Sequence, residues 1–204
     1  MNFRVLKETC GGVRALAGTA LRRKAAAGVT LVELLVVITI VAILMAIGVP
    51  SFRNITNSNR VAAEVNGLLG DLQFARSEAI KEGATISVCA ANNPTATTAA
   101  CAGTNWQTGW VVFVDVNGSG AMDSTSDTVL RVRQTFLPAS DTFTADDGQS
   151  VVTFNREGFA TGLQNGTATL KLHTSPANTG WTRCLLINMT GYMTTQVPTQ
   201  GSCT

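Results

Sequence analysis

The sequence holds little from which a catalytic site could be built. His173 is the only histidine in 204 residues, and no serine or cysteine context gives it a nucleophile–base–orienter arrangement. The expectation is a protein that is not an enzyme and carries no cofactor. No CxxC pair or histidine spacing accompanies the cysteines, which argues against a zinc site. Charge is scarce as well: Asp, Glu, Lys and Arg make up 14% of the chain, low for a soluble domain. The shortage is concentrated, because residues 34–52 carry no charge at all. A small-x-small site after Phe52 is also missing, which sets aside an ordinary secretory signal peptide, cut after its apolar region.

That uncharged run dominates the sequence. Residues 28–52 read GVTLVELLVVITIVAILMAIGVPSF. At about 1.5 Å per helical residue the charge-free part spans about 28 Å, close to the hydrocarbon thickness of a bilayer. Arg22, Arg23 and Lys24 stand before it, and one acid, Glu33, sits inside its start. A carboxylate at the head of a membrane helix is costly unless neutralised, so Glu33 marks a functional position. The formal charge of +2 divides unevenly: residues 1–28 hold six bases against Glu8, and residues 29–204 hold nine bases against twelve acids. A positive leader fits cytoplasmic retention. A mildly acidic remainder gives no broad support for nucleic-acid binding.

Gly28, Val29, Thr30, Leu31, Val32, Glu33, Leu34 and Leu35, behind a basic leader, resemble the class III signal peptide of type IV prepilins and of type II secretion pseudopilins. The resemblance implies that prepilin peptidase cuts between Gly28 and Val29 and methylates the new amine of Val29. It also implies that Glu33 compensates the positive N-terminus of a neighbouring subunit in a fibre. An ion pair in a hydrocarbon-like medium is strongly favoured over either charge alone, so it can set register. The family usually begins its mature chain with Phe or Met. Val29 departs from that, which bears on methylation more than on cleavage.

Residues 29–82 read as one long helix. Its first half, 29–52, is apolar all round, as a membrane span should be. Gly48 and Pro50 interrupt it, and a kink or local melting is expected there, where the family carries its kinking proline. The second half, 53–83, is amphipathic: Val61, Val65, Leu68, Leu72, Ala75 and Ala79 form a stripe that Leu69 and Ile80 widen, with Asn66 and Arg76 off it. Gly83 is a natural stop.

Residues 84–204 read as a β-rich head. Strands are predicted at 85–90, 108–115, 128–135, 151–155, 167–173 and 183–189, with a closing hairpin at 192–197. Arg131 and Arg133 fall on one face of their strand, Leu130 and Val132 on the other. Residues 92–105 read as a Thr/Ala-rich loop, 117–120 as a turn and 136–149 as an irregular connection. Cys10 lies in the leader. Cys89, Cys101, Cys184 and Cys203 are an even set in the part that would face an oxidising compartment. They read as two local disulfides, Cys89–Cys101 and Cys184–Cys203, although three pairings are open and buried thiols are the alternative. Asp115, Asn117, Ser119 and Asp123 have a loose calcium-like spacing, but the glutamate that closes an EF-hand loop is missing and an Asn-Gly turn accounts for them better. Trp110 reads as core; Trp181 reads as more exposed and Trp106 could stack on a base or a partner.

The stretches DLQFARSEAIKEG (71–83) and WQTGWVVFVD (106–115), with a late Cys184 strand ending at Gly191, resemble the GspH/FimT family. These are H-type pseudopilins of type II secretion and FimT/FimU-type minor pilins. The resemblance implies an α+β, type IV pilin-like fold: leader 1–28, membrane half-helix 29–52, amphipathic half-helix 53–83 and periplasmic head 84–204. Implied partners are prepilin peptidase, other minor and major pilins or pseudopilins, the inner-membrane assembly platform and the membrane itself. The expected function is a minor pilin of a type IV pilus, with an H-type pseudopilin as the alternative. A DNA-binding minor pilin for transformation is disfavoured. Where some FimT-type pilins carry a Gly-Arg-x-Arg pattern, this chain has Gly191, Tyr192, Met193 and Thr194, and nucleic-acid affinity rests mainly on Lys and Arg.

Overall fold

The computed structural model describes residues 28–92, 94–95, 99–135, 137–175, 178–198 and 203. The leader and Cys10 lie outside the described residues. The chain divides into two units, Met1–Met45 and Ala46–Thr204.

In the first unit the backbone is non-helical from Gly28 to Thr30, and helix α1 (Leu31–Glu82) begins directly after. Thr30 starts it. Its hydroxyl accepts the Glu33 amide at 3.2 Å and its carbonyl accepts the Leu34 amide at 3.1 Å. Threonine at the cap with glutamate three residues on is the capping-box pattern. Every residue of α1 in this unit is exposed.

The second unit takes α1 through Gly48 and Pro50. The backbone stays helical there, so the local melting expected at these residues is absent. Proline removes one donor, the partner of the Ala46 carbonyl, and the turns on either side outweigh that single loss. The helix ends as expected at Gly83, which has φ +63°. The Ala84 amide reaches back to the Ala79 carbonyl at 3.2 Å, the six-to-one bond of a Schellman stop.

Among the described residues nine strands follow, all paired antiparallel. They are β1 (Ile86–Ala90), β2 (Gly109–Val114), β3 (Thr128–Gln134), β4 (Thr142–Ala145), β5 (Val151–Phe154), β6 (Ala160–Thr161), β7 (Thr167–His173), β8 (Arg183–Asn188) and β9 (Met193–Gln196). One sheet has the order β3-β2-β1-β5-β6, the other β4-β7-β8-β9. All six predicted stripe residues of α1 are fully buried against the inner faces of both sheets, with Val88, Trp110, Val112, Phe154, Leu170 and Leu185 opposite. Leu69 packs at the margin as expected. Ile80 does not: it is 52% exposed.

Three strands depart from expectation, among them the unpredicted β6, only two residues long. β4 occupies the stretch predicted to be irregular and pairs with β7 at the sheet edge. β3 carries a bulge, because the pairing shifts between Val112↔Arg131 and Phe113↔Val129 and skips Leu130. Val129 and Val132 therefore pack on the sheet face turned away from α1 while Leu130 is exposed to solvent, so Leu130 and Val132 do not share a packed face. A second apolar cluster, Cys89, Ala91, Val111 and Phe113, lies on the other face of the first sheet. Cys89 is bonded to Cys101 and Cys184 to Cys203.

Candidate functional site

Two regions carry the residues singled out in the sequence: the head of α1, and the seam where its second half meets the sheets.

At the head of α1, the peptide bond between Gly28 and Val29 lies outside the helix because Thr30 caps it two residues later. Val29 is 67% exposed. Gly28 and Gly48 both face open space, so no described residue requires either to lack a side chain. Beyond its backbone, Glu33 has no hydrogen-bond or ion-pair partner among the described residues. From Leu31 to Thr56 no residue of α1 is even half-buried, and an 18-residue window there has a mean hydropathy of 2.8. Apolar surface of this extent is not left in water by a stable monomer.

The seam is polar as well as apolar. Asp71, buried on the stripe side of α1, accepts from Trp110 Nε1 at 2.8 Å and from Arg131 Nη1 at 3.1 Å. The Arg131 guanidinium lies over the Phe74 ring, 3.4 Å from its centre. Arg133 stands above Gly67, where a Cβ would come within 2.7 Å of its Nη2. Both arginines of β3 thus lie on the face turned to α1, Arg131 committed to Asp71 and both still exposed at the surface. One turn on, Arg76 donates from Nε to the Gly158 carbonyl at 2.9 Å and from Nη2 to the Thr190 carbonyl at 3.3 Å. Gly191 completes this contact: it has φ +74°, and a Cβ there would lie 2.3 Å from the Gly158 carbonyl and 2.7 Å from Arg76 Nε. Nearer the apolar run, Arg60 Nη2 donates to Asp141 Oδ2 at 2.7 Å, and Arg183 Nη2 donates to Ser58 Oγ at 3.3 Å.

The remaining sequence candidates fall into structural places. Asp115 is buried, and its carboxylate accepts from Ser87 Oγ and from the amides of Ser119 and Gly120 at 2.7 to 3.0 Å. Those oxygens are occupied by donors, which suits the turn and not a cation. Asp123 closes the same loop, with its carboxyl held below the ordinary value first by the Thr125 amide and then by the Thr125 hydroxyl. Trp106 is buried and donates to the Gln149 carbonyl at 2.9 Å, so it is not available for stacking. Trp110 is core as expected, and Trp181 is half-buried. His173 is half-buried and lies 3.3 Å from the Thr182 hydroxyl. Tyr192 is exposed, and the described residues after it carry no arginine.

The sequence reading missed Thr30 as a cap, although Thr-x-x-Glu before an apolar run is its signature. The sequence alone gives Asp71 and Arg76 no role, because their partners lie far along the chain. The reading also missed the Arg60–Asp141 pair, whose members lie 81 positions apart.

Comparison with known proteins adds three findings. The family model described as type II transport protein GspH matches residues 64–191, and the prokaryotic N-terminal methylation motif matches residues 23–49. Two crystal structures of the type IV minor pilin FimU from Pseudomonas aeruginosa strain PAO1 have a similar fold. In the P21 form the identity is 22%, the match covers 70% of this chain and 92% of that chain, and the TM-score is 0.53. In the P65 form the corresponding values are 21%, 66%, 91% and 0.50. A search of curated proteins found no match.

Proposed function

The chain belongs to the GspH family, and on that premise we propose that it is a minor pilin of a type IV pilus, made as a prepilin and assembled from the inner membrane. The observation that carries this reading is the divided character of α1. One end is locked to the head by a buried stripe and several polar clamps; the other exposes an uninterrupted apolar surface that only lipid or other subunits can cover. In this reading the basic leader stays in the cytoplasm and the head lies in the periplasm, where two disulfides are stable. Prepilin peptidase cuts the non-helical Gly28–Val29 bond and methylates Val29. The unpartnered Glu33 then receives the N-terminal charge of the next subunit.

The likeness to FimU, described as a type IV minor pilin, supports membership of a pilus. The family description as a type II transport protein supports a second reading, an H-type pseudopilin that primes a secretion pseudopilus. A clean gene deletion separates them. Loss of sheared surface pili with normal exoprotein release is expected. Normal pili with exoproteins stranded in the periplasm would assign the chain to secretion instead.

A further inference from the structure

A cavity of about 410 Å³ opens in the second unit beside residues 50–60 of α1. That falls within the range of about 300–1,000 Å³ usual for small-ligand sites. Its walls include Pro50, Arg53, Asn57, Arg60, Ser175 and Trp181. Pro50 belongs to the uncharged run 34–52, and Arg53 is the first charge after it. The cavity therefore begins where the apolar run ends, flanked on α1 by the exposed side chains of Phe52 and Ile55.

Its chemistry is that of an anion site. The one acid on its wall, Asp141, is already satisfied, with Oδ2 accepting from Arg60 Nη2 at 2.7 Å and Oδ1 from the Ser175 amide at 3.1 Å. Arg60 Nε is buried and has no hydrogen-bond partner among the described residues. Arg53 is exposed and makes no ion pair or hydrogen bond to a described residue. Arg60 is committed to Asp141 and its Nε is buried, so the exposed, uncommitted guanidinium of Arg53 is the group on this wall that can offer its planar donors to phosphate oxygens. Trp181 adds the amphipathic ring that settles at the boundary between hydrocarbon and headgroups.

We propose that this cavity holds the phosphate headgroup of an anionic phospholipid and so fixes the depth of the subunit in the bilayer. The inference rests on the reading of α1's first half as a membrane anchor. The contact is given up when the subunit is withdrawn into a fibre.

The test is native mass spectrometry of the full-length chain in detergent, with phosphatidylglycerol or phosphatidylcholine of matched acyl chains added. Phosphatidylglycerol is expected to be retained preferentially. Arg53→Gln should lower that retention about tenfold, the scale of one charge-assisted contact, and Arg53→Lys should restore part of it. Equal retention of both lipids, or no change in Arg53→Gln, overturns the proposal. Excess inorganic phosphate should not displace the lipid; displacement would mark a free-anion site and overturn the lipid assignment. Recovery of the chain in the soluble fraction of cells would remove the anchor and this inference together, whereas an inserted chain without lipid preference removes this inference alone.

Discussion

Asp71 is a buried carboxylate that two donors depend on. Trp110 Nε1 and Arg131 Nη1 both end on it. Replacing it with alanine leaves the buried indole N–H without an acceptor, which costs about 1–3 kcal/mol. Asp71→Ala is therefore expected to lower the urea midpoint of the full chain in detergent, and Asp71→Asn, which keeps one acceptor, to lower it less. Gly191 is a second such point. Gly191→Ala places a Cβ against the Gly158 carbonyl at a positive φ and should destabilise by about 1–3 kcal/mol. Gly70, helical and facing open space, is its control: Gly70→Ala should be neutral or stabilise by about 0.5–1 kcal/mol. If Gly191→Ala matched Gly70→Ala, the close approach at Gly191 would not be real. At this scale the sequence was only partly legible. Residues 71–83 were visible as a family-like stretch, but the partners of Asp71 and Arg76 lie in β2, β3 and two turns. Only the fold brings those together. Thr30 was legible in principle, because its cap needs nothing beyond Glu33.

Among the elements, α1 was readable almost throughout because its stripe follows a 3.6-residue period and both ends carry local stop signals. Ile80 fails because it lies on the flank of the stripe, one residue past the fully buried Ala79, and leaves about half of its surface to solvent. β7 and β8 alternate cleanly and pair over nearly their whole length. β4 has only four residues, too few for alternation to separate it from a loop. The β3 bulge was illegible because a one-residue slip depends on the partner strand, not on the strand itself. The turn at 115–127 offers its own test. Asp123 accepts from the Thr125 amide and hydroxyl, so its folded pKa lies below the ordinary 3.8. A depressed carboxylate contributes stability that is present above the unfolded pKa and lost as pH falls through the folded one. An NMR titration of the Asp123 carboxyl should give a midpoint below its unfolded value, and Thr125→Val should move it part of the way back, since the backbone donor remains. A midpoint unchanged by that substitution would count against the hydroxyl's share.

For the whole molecule, the division of α1 and the β-rich head together fit the proposed function, a part that is anchored first and assembled later. The buried stripe makes the head and the second half of α1 one body, held by Asp71, Arg76 and the Arg60–Asp141 pair. The first half has no partner among the described residues; on the proposed function a lipid phase and a fibre core compete for it. Mass spectrometry of sheared surface pili tests this account most directly, by seeking this chain and its N-terminal peptide. The account predicts that the chain is present and that its first residue is Val29, followed by Thr30, Leu31, Val32 and Glu33. Absence from the pili of cells that make the protein, or an N-terminus anywhere other than Val29, would contradict it.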